Sequence, residues 1–332
     1  MATKPAKPQT KPNLIKRVLL GVDGFQQRHG VVSFPYAVVK KYGDDEAGYQ
    51  GALITYYGFL SLFPLLIVAT SVIGIVSKNN AELRTKLLSS INDYFPAIGG
   101  QLQASVHSSS KTGLALVIGL AITLWGAKGV ADAVQHALNH VWEVPKTHRP
   151  SFPKGPLKSL GLIVGAGIGF AGAAVLSGYA TAAFGHSFML RALPVFASFI
   201  LLLGVFVFVF RIGSSAKHSL HDLLPGAAVA AVGMQVLQVA GTYLVSHQLK
   251  NLQGVYGSFG LVLAILFWLY LQAQVFLYAA EINTVRALKL WPRSLTQDPL
   301  TDSDRHAFEL YAKRETYHAP PEEVHVHFNG KS

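Results

Sequence analysis

Six stretches of the chain are predominantly apolar, at about 49–77, 112–142, 157–184, 193–212, 223–246 and 257–288. A bilayer's hydrocarbon core of about 30 Å takes about 20 helical residues at about 1.5 Å each, so each stretch is long enough to cross it. The pattern predicts an all-α polytopic membrane protein, a bundle of six transmembrane helices with N-terminal interfacial helices. The last stretch, GSFGLVLAILFWLYLQAQVFLYAAEINTVRAL, organises the rest. It closes on Glu281 and Asn283 and leaves through Arg286 and Lys289. A carboxylate at the end of a span is costly and marks a constraint. Ahead of the first span, Leu14, Ile15, Val18, Leu19, Val22 and Phe25 recur near helical spacing with Lys16, Arg17 and Arg28 between them. That pattern suits a helix lying on an anionic membrane surface. A second piece, Phe34 to Tyr42, ends in Lys40-Lys41 and reads as an elbow into the first span. The expected divisions are a disordered basic arm over 1–12, amphipathic interfacial helices over 13–42, a membrane domain over 43–290 and a flexible polar tail over 291–332.

Composition removes the alternative of two soluble domains. Of 332 residues, 51% are hydrophobic and 14% charged, and mean hydropathy is +0.35. Cysteine is absent, which excludes disulfides, thiolate metal sites and cysteine catalysis. The net charge of +11 would suit nucleic acid, but Lys and Arg gather on cytoplasmic loops of membrane proteins. No nucleic-acid partner is expected; membrane lipids are. The even-numbered loops and both ends are richer in Lys and Arg, which predicts both termini in the cytoplasm and an external loop over 78–111. No short apolar region with a cleavage site follows the basic start, so a signal peptide is not expected.

Pro64 sits inside the first span, where it removes a backbone donor and predicts a kink. Thr55, Tyr56, Tyr57 and Ser61 precede it. They suit either hydrogen bonds between helices or the lining of a polar path. Gly161, Gly165, Gly169, Ala173 and Ser177 recur every four residues in the third span. Such a stripe lets another helix approach closely, either within the chain or across a homo-oligomer. Lys128 and Asp132 stand one turn apart and can pair. With Arg211, Glu281 and Asn283 they fall toward the cytoplasmic ends of their spans. Two readings are open: a structural charge network with snorkelling ends, or the gate of a transport path or a site for an anionic headgroup. Glu281 is expected to pair with Arg211 or Lys128, Arg being the better partner because its fork is bidentate. No catalytic, metal or cofactor residue is expected. Metal-dependent phosphodiester hydrolysis needs convergent carboxylates or His, and Asp132 and Glu281 are both explained by a cationic partner. No Walker A loop, GxSxG elbow or HExxH occurs. His325-x-His327 has no supporting ligand cluster and reads as tail.

Four pieces in order carry a resemblance: SLFPLL at 61–66, WGAKGVADAVQHALNHVW at 125–142, VYGSFG at 255–260 and FWLYLQAQVFLYAAEIN at 267–283. Over about residues 30 to 290 the chain resembles the YihY / virulence factor BrkB family of bacterial inner-membrane proteins. The resemblance implies six helices in the bacterial plasma membrane and no established biochemical activity. It also brings an old label, ribonuclease BN, that is widely regarded as a misassignment. The chain departs from the family pattern at Ala279-Ala280-Glu281, where Gly-Ala-Glu is usual. It departs again at Phe210-Arg211-Ile212-Gly213, where a Tyr-Arg-x-x-Pro type of sequence is usual. The Arg and the Glu are kept. On these grounds the expected function is transport or flipping of a lipid, amphipathic or anionic substrate in envelope homeostasis; a non-transporting scaffold is the alternative, and a membrane ribonuclease ranks last.

Overall fold

A computed structural model of the chain describes residues 14–76, 85, 114–183, 188–247, 258–296, 299–317 and 324–328. Among them every regular element is helical. In chain order these are α1 (Leu14–Arg28), α2 (Gly30–Asp44), α3 (Ala47–Val76), α4 (Leu114–Val141), α5 (Lys154–Ala183), α6 (Phe188–Gly213), α7 (Leu220–His247), α8 (Ser258–Ala287) and α9 (Asp302–Arg314). A single 3₁₀ turn, Lys146–His148, follows α4. The expected arm over 1–12 lies outside the described residues, as does the expected loop over 78–111 apart from Thr85.

Helices α3 to α8 coincide with the six apolar stretches and run 26 to 30 residues. Four segments among the described residues are long and apolar enough to cross a membrane: Lys154–Ala173, Val195–Gly213, Leu220–Gly241 and Val262–Ala287. Their outer faces carry large apolar side chains in the open, among them Val164, Ile168, Phe196, Ile200, Val232, Val236 and Phe267. A continuous apolar surface of that kind is stable against lipid and not against water. Helix α3 passes through Pro64 as one element from Ala47 to Val76.

The core lies between the helices and mixes rings with small residues. Phe206, Phe210 and Phe276 pack together, with Phe210 and Phe276 stacked at 5.3 Å. Ala227, Ala230, Ala231, Ala279 and Ala280 line the contact of α7 with α8. The closest approach there is at Gly226, whose N–H donates to the Asn283 side-chain oxygen at 2.7 Å. A Cβ at Gly226 would collide with the Ala279 carbonyl oxygen, and backbone cannot swing aside. Asn283, singled out from the sequence, is therefore a buried clamp between two spans.

The small-residue stripe of α5 faces α6 over part of its length. Side chains placed at Gly165 and Gly169 would strike Phe208 and Val205 of α6, and Ala173 is fully buried. Gly161 departs from the expectation: nothing lies within 4 Å of where its Cβ would be. The two helices touch at Gly165 and no side chain reaches across at Gly161, so the first glycine of the stripe opens onto a groove.

Helices α1 and α2 form a pair at one end of the bundle. The apolar face of α1 points outward through Val18, Val22 and Phe25, while Asp23 and Gln26 are buried. That is the orientation of a helix whose apolar stripe enters a membrane surface. Within the stretch expected to be a flexible polar tail, Asp302–Arg314 forms a helix packed on the bundle. Helix α9 packs Ala307 and Leu310 against Ala37 and Val38 of α2 and Val285 of α8. It begins with a capping box, in which the Thr301 hydroxyl accepts from the Asp304 N–H and the Asp304 carboxylate accepts from the Thr301 N–H. A polar composition hid it because α9 buries charges as well as apolar residues.

Candidate functional site

The charged groups meet where α2, the end of α4, the end of α8 and α9 converge. Lys41 of α2 is fully buried. Its Nζ donates to the Asp45 carboxylate, to Glu143 Oε1 at 2.8 Å and to the Val141 carbonyl at 3.0 Å, and lies 3.6 Å from Glu281 Oε2. Arg314 of α9 closes the cluster from the other side, at 2.9 Å from Asp45 Oδ1 and 3.1 Å from Glu143 Oε2. The Tyr311 ring lies beneath both cations, 5.6 Å from Lys41 Nζ and 5.4 Å from the Arg314 guanidinium. Neither oxygen of Glu281 has a hydrogen-bond partner among the described residues.

Local sequence puts these groups in place. Lys41 and Asp45 are one helical turn apart at the end of α2. Glu143 follows α4 in the left-handed region, with φ of 54°. Val144 N–H returns to the Asn139 carbonyl at 2.9 Å, so Glu143 occupies the position after a helix that glycine usually takes. A glutamate there carries backbone strain; Lys41 and Arg314 hold its carboxylate in compensation.

Three carboxylates, Asp45, Glu143 and Glu281, face two cations, Lys41 and Arg314. The set is neutral when it holds one proton, and its titration belongs to the set as a whole. Burial pushes the Glu143 carboxyl up to about 7, with Asp45 adding to the rise and Lys41 and Arg314 opposing it. Burial acts on Asp45 in the same direction, but Lys41 and Arg314 outweigh it and hold that carboxyl below its ordinary value. Burial disfavours the charge on Lys41, yet Glu281, Asp45 and Glu143 hold its pKa well above normal.

A second buried network adjoins the first through Asp44. Arg293 is fully buried, with Nε at 2.6 Å from Asp304 Oδ1 and Nη2 at 2.8 Å from Asp44 Oδ2. Asp304 also accepts from Lys40 Nζ at 3.0 Å and from the Ser294 N–H at 2.8 Å. Burial acts to raise the Asp304 pKa, but these bonds bring it down to about 2. Asp23 of α1 accepts from the Leu295 N–H at 3.0 Å and from Gln27 at 2.9 Å. The two networks therefore fasten α1, α2 and α9 to the end of the bundle.

Between α3 to α8 lies a cavity of about 450 Å³. Each of the six helices lines it, through residues such as Ile54, Ala131, Ala166, Phe206, Met234 and Phe276. Polar side chains are few: Thr55, Ser61 and Gln272. Thr55 and Ser61 donate to carbonyls of their own helix, Gly51 and Gly58, at 2.8 and 2.9 Å. The cavity presents an apolar wall with room for hydrocarbon.

The structure separates the residues expected to act together. Glu281 meets Lys41, and not Arg211 or Lys128. The expected pairing is corrected for a plain reason: α2, a helix outside the six long ones, supplies the cation. Lys128 pairs with Asp132 at 2.5 Å on an exposed face, and the Asp132 carboxylate also accepts from the Ser159 hydroxyl. Such an exposed pair contributes little. Arg211 is exposed beside Lys158. Lys41, Asp45, Glu143, Arg293, Asp304 and Arg314 were not singled out by the sequence; the signals were the Lys40-Lys41 and Asp44-Asp45 pairs one turn apart and the Thr301-x-x-Asp304 cap. Among the described residues no group of three or more His, Asp or Glu is placed to hold a metal ion.

These features define a helical integral membrane protein whose long helices line an apolar cavity and whose end is tied by buried ion pairs. The chain belongs to the virulence factor BrkB family, whose model matches residues 38–300. The inner membrane protein YhjD of Escherichia coli is 24% identical over 80% of this chain and 85% of its own length. The ribonuclease-like protein YfkH of Bacillus subtilis is 27% identical over 76% of this chain and 95% of its own length. A UPF0761 membrane protein of Vibrio campbellii is 25% identical over 76% of this chain and 82% of its own length. No solved structure matches the chain.

Proposed function

We propose that this protein moves a lipid or another amphipathic, anionic molecule across the bacterial inner membrane. The observation that carries the reading is the apolar cavity shared by all six long helices. A molecule with a hydrocarbon part gains about 25 cal/mol per Å² of apolar surface it buries there. In this reading α3 to α8 are six spans, both termini lie in the cytoplasm, and the Lys41–Glu281 cluster closes the cytoplasmic end of the cavity. A non-transporting scaffold is the second reading, favoured by the completeness of that closure. Neither reading includes nuclease chemistry.

The test is photolabelling in bilayer nanodiscs with a phosphatidylglycerol that carries a diazirine near the end of one acyl chain. Label is expected on peptides that face the cavity, around Thr55–Ser61, Ala131–Val134 and Phe206–Val209. Label confined to outward residues such as Val164, Val232 and Phe267 would leave the cavity empty of lipid and favour the scaffold.

A further inference from the structure

We propose that the groove between the start of α5 and the end of α6 is a binding site for the phosphate of one anionic phospholipid, with Lys154, Lys158 and Arg211 as its cations. The groove has a volume of about 660 Å³ and joins these three cations to apolar residues that include Leu157, Gly161 and Phe208. No carboxylate lines it. Neither Lys154 nor Arg211 has an ion-pair partner among the described residues. Lys158 is held in place by the Ser214 carbonyl at 3.4 Å and the Ser215 hydroxyl at 3.2 Å, which aims its charge across the gap between the helices.

Depth supports the same occupant. Lys154 opens one membrane-crossing segment, and Arg211 stands two residues before the end of the next. Both cations therefore lie at the boundary where lipid headgroups sit, and Lys158 lies one turn further in. Basic pockets between spans at that level suit phosphate headgroups. The apolar floor suits the attached chain: Leu157 is 71% exposed, and the bare backbone at Gly161 leaves a slot that no neighbouring side chain fills. This also accounts for the one glycine of the α5 stripe that touches no helix. A free phosphate ion would use the cations but not the slot, whereas a phospholipid uses both. The site faces outward between two helices and does not depend on transport through the central cavity.

The test is native mass spectrometry of the full-length protein in detergent, titrated with phosphatidylglycerol, phosphatidylcholine or inorganic phosphate. Phosphatidylglycerol is expected to bind more tightly than phosphatidylcholine. Removing one charge by Lys154→Gln, Lys158→Gln or Arg211→Gln is expected to weaken its binding about fivefold, in line with about 1 kcal/mol per basic residue at a membrane surface. Gly161→Leu fills the slot without altering charge, and its Cβ would meet no neighbour; it should weaken phosphatidylglycerol while any phosphate binding stays as in the wild type. Lys128→Gln, which removes a cation outside the groove, should change neither. Equal binding of the two lipids, or wild-type preference in both Arg211→Gln and Gly161→Leu, overturns the proposal. Phosphate that displaces the lipid at equal concentration would assign the site to the free ion instead.

Discussion

Lys41→Met is expected to lower the stability of the detergent-solubilised protein by about 3–5 kcal/mol, the cost of removing one partner from a buried ionic set. The substitution keeps most of the side-chain volume but leaves Asp45, Glu143 and Glu281 with Arg314 alone. A carboxylate stranded in a dry site must bind a proton or admit water. Adding Glu281→Gln should therefore return part of the loss, because it removes one of the stranded charges. Acidity should help in the same way. The Glu143 carboxyl sits near 7 in the folded protein against an ordinary 4.5. Its contribution is thus fully present below about 4.5 and fades as pH rises through about 7. Lys41→Met should consequently be more stable at pH 6 than at pH 8, by a wider margin than the wild type. Thermal denaturation of the single and double variants at both pH values checks this. Simple additivity of Lys41→Met and Glu281→Gln would mean that the two groups do not interact, and the site described here would be wrong.

The second large effect is expected at α9. Asp304→Ala removes the carboxylate that receives Arg293, Lys40 and the Ser294 N–H and that completes the helix cap. Among the described residues the Arg293 side chain keeps its hydrogen bonds to Asp44 and the Tyr311 hydroxyl and its contact with the Phe308 ring. The loss should be about 3 kcal/mol or more, enough to release α9 from α2 while leaving the spans intact. Amide hydrogen exchange over 302–314 should then rise sharply, with exchange in α8 little changed. The sign of the acid response follows from the depressed pKa. Asp304 stands near 2 against an ordinary 3.8, so its contribution is present above about 3.8 and is lost as pH falls toward 2. The wild type should show that acid release and the variant should not. Unaltered protection of 302–314 in Asp304→Ala would show that apolar contacts alone hold the helix.

The long helices were legible because apolar runs of bilayer length have few other uses: α3 to α8 fall on the predicted stretches, and four segments among the described residues are long and apolar enough to cross a membrane. The α1 stripe was legible for a related reason: Val18, Val22 and Phe25 recur at helical spacing and face outward. What the sequence concealed was which charges meet. Glu281 is conspicuous because it ends a span, and its partner was sought at similar depth on other spans. The partner is Lys41, on a short helix whose composition reads as surface. Fully burying a lysine is rare, and composition gives no sign of it. Helix α9 was hidden similarly, since Asp304, Arg293 and Arg314 count as polar residues in any window yet lie inside the fold. The α5 glycines show the limit of a motif: Gly161 and Gly165 have the same spacing signal, and only the second meets α6.

The most direct measurement for the transport reading is lipid movement in proteoliposomes. A fluorescent phosphatidylglycerol is placed in both leaflets, and a quencher that cannot cross the bilayer is added outside. Protein-free vesicles keep the signal of their inner leaflet. Vesicles containing the wild-type protein are expected to lose most of that signal as inner lipid reaches the outside. Ala131→Trp, which places an indole in the central cavity that Ile163 and Phe206 also line, is expected to behave like protein-free vesicles while keeping wild-type thermal stability. An inner-leaflet signal that persists with the wild-type protein, or a loss equally fast with Ala131→Trp, would contradict passage through the cavity.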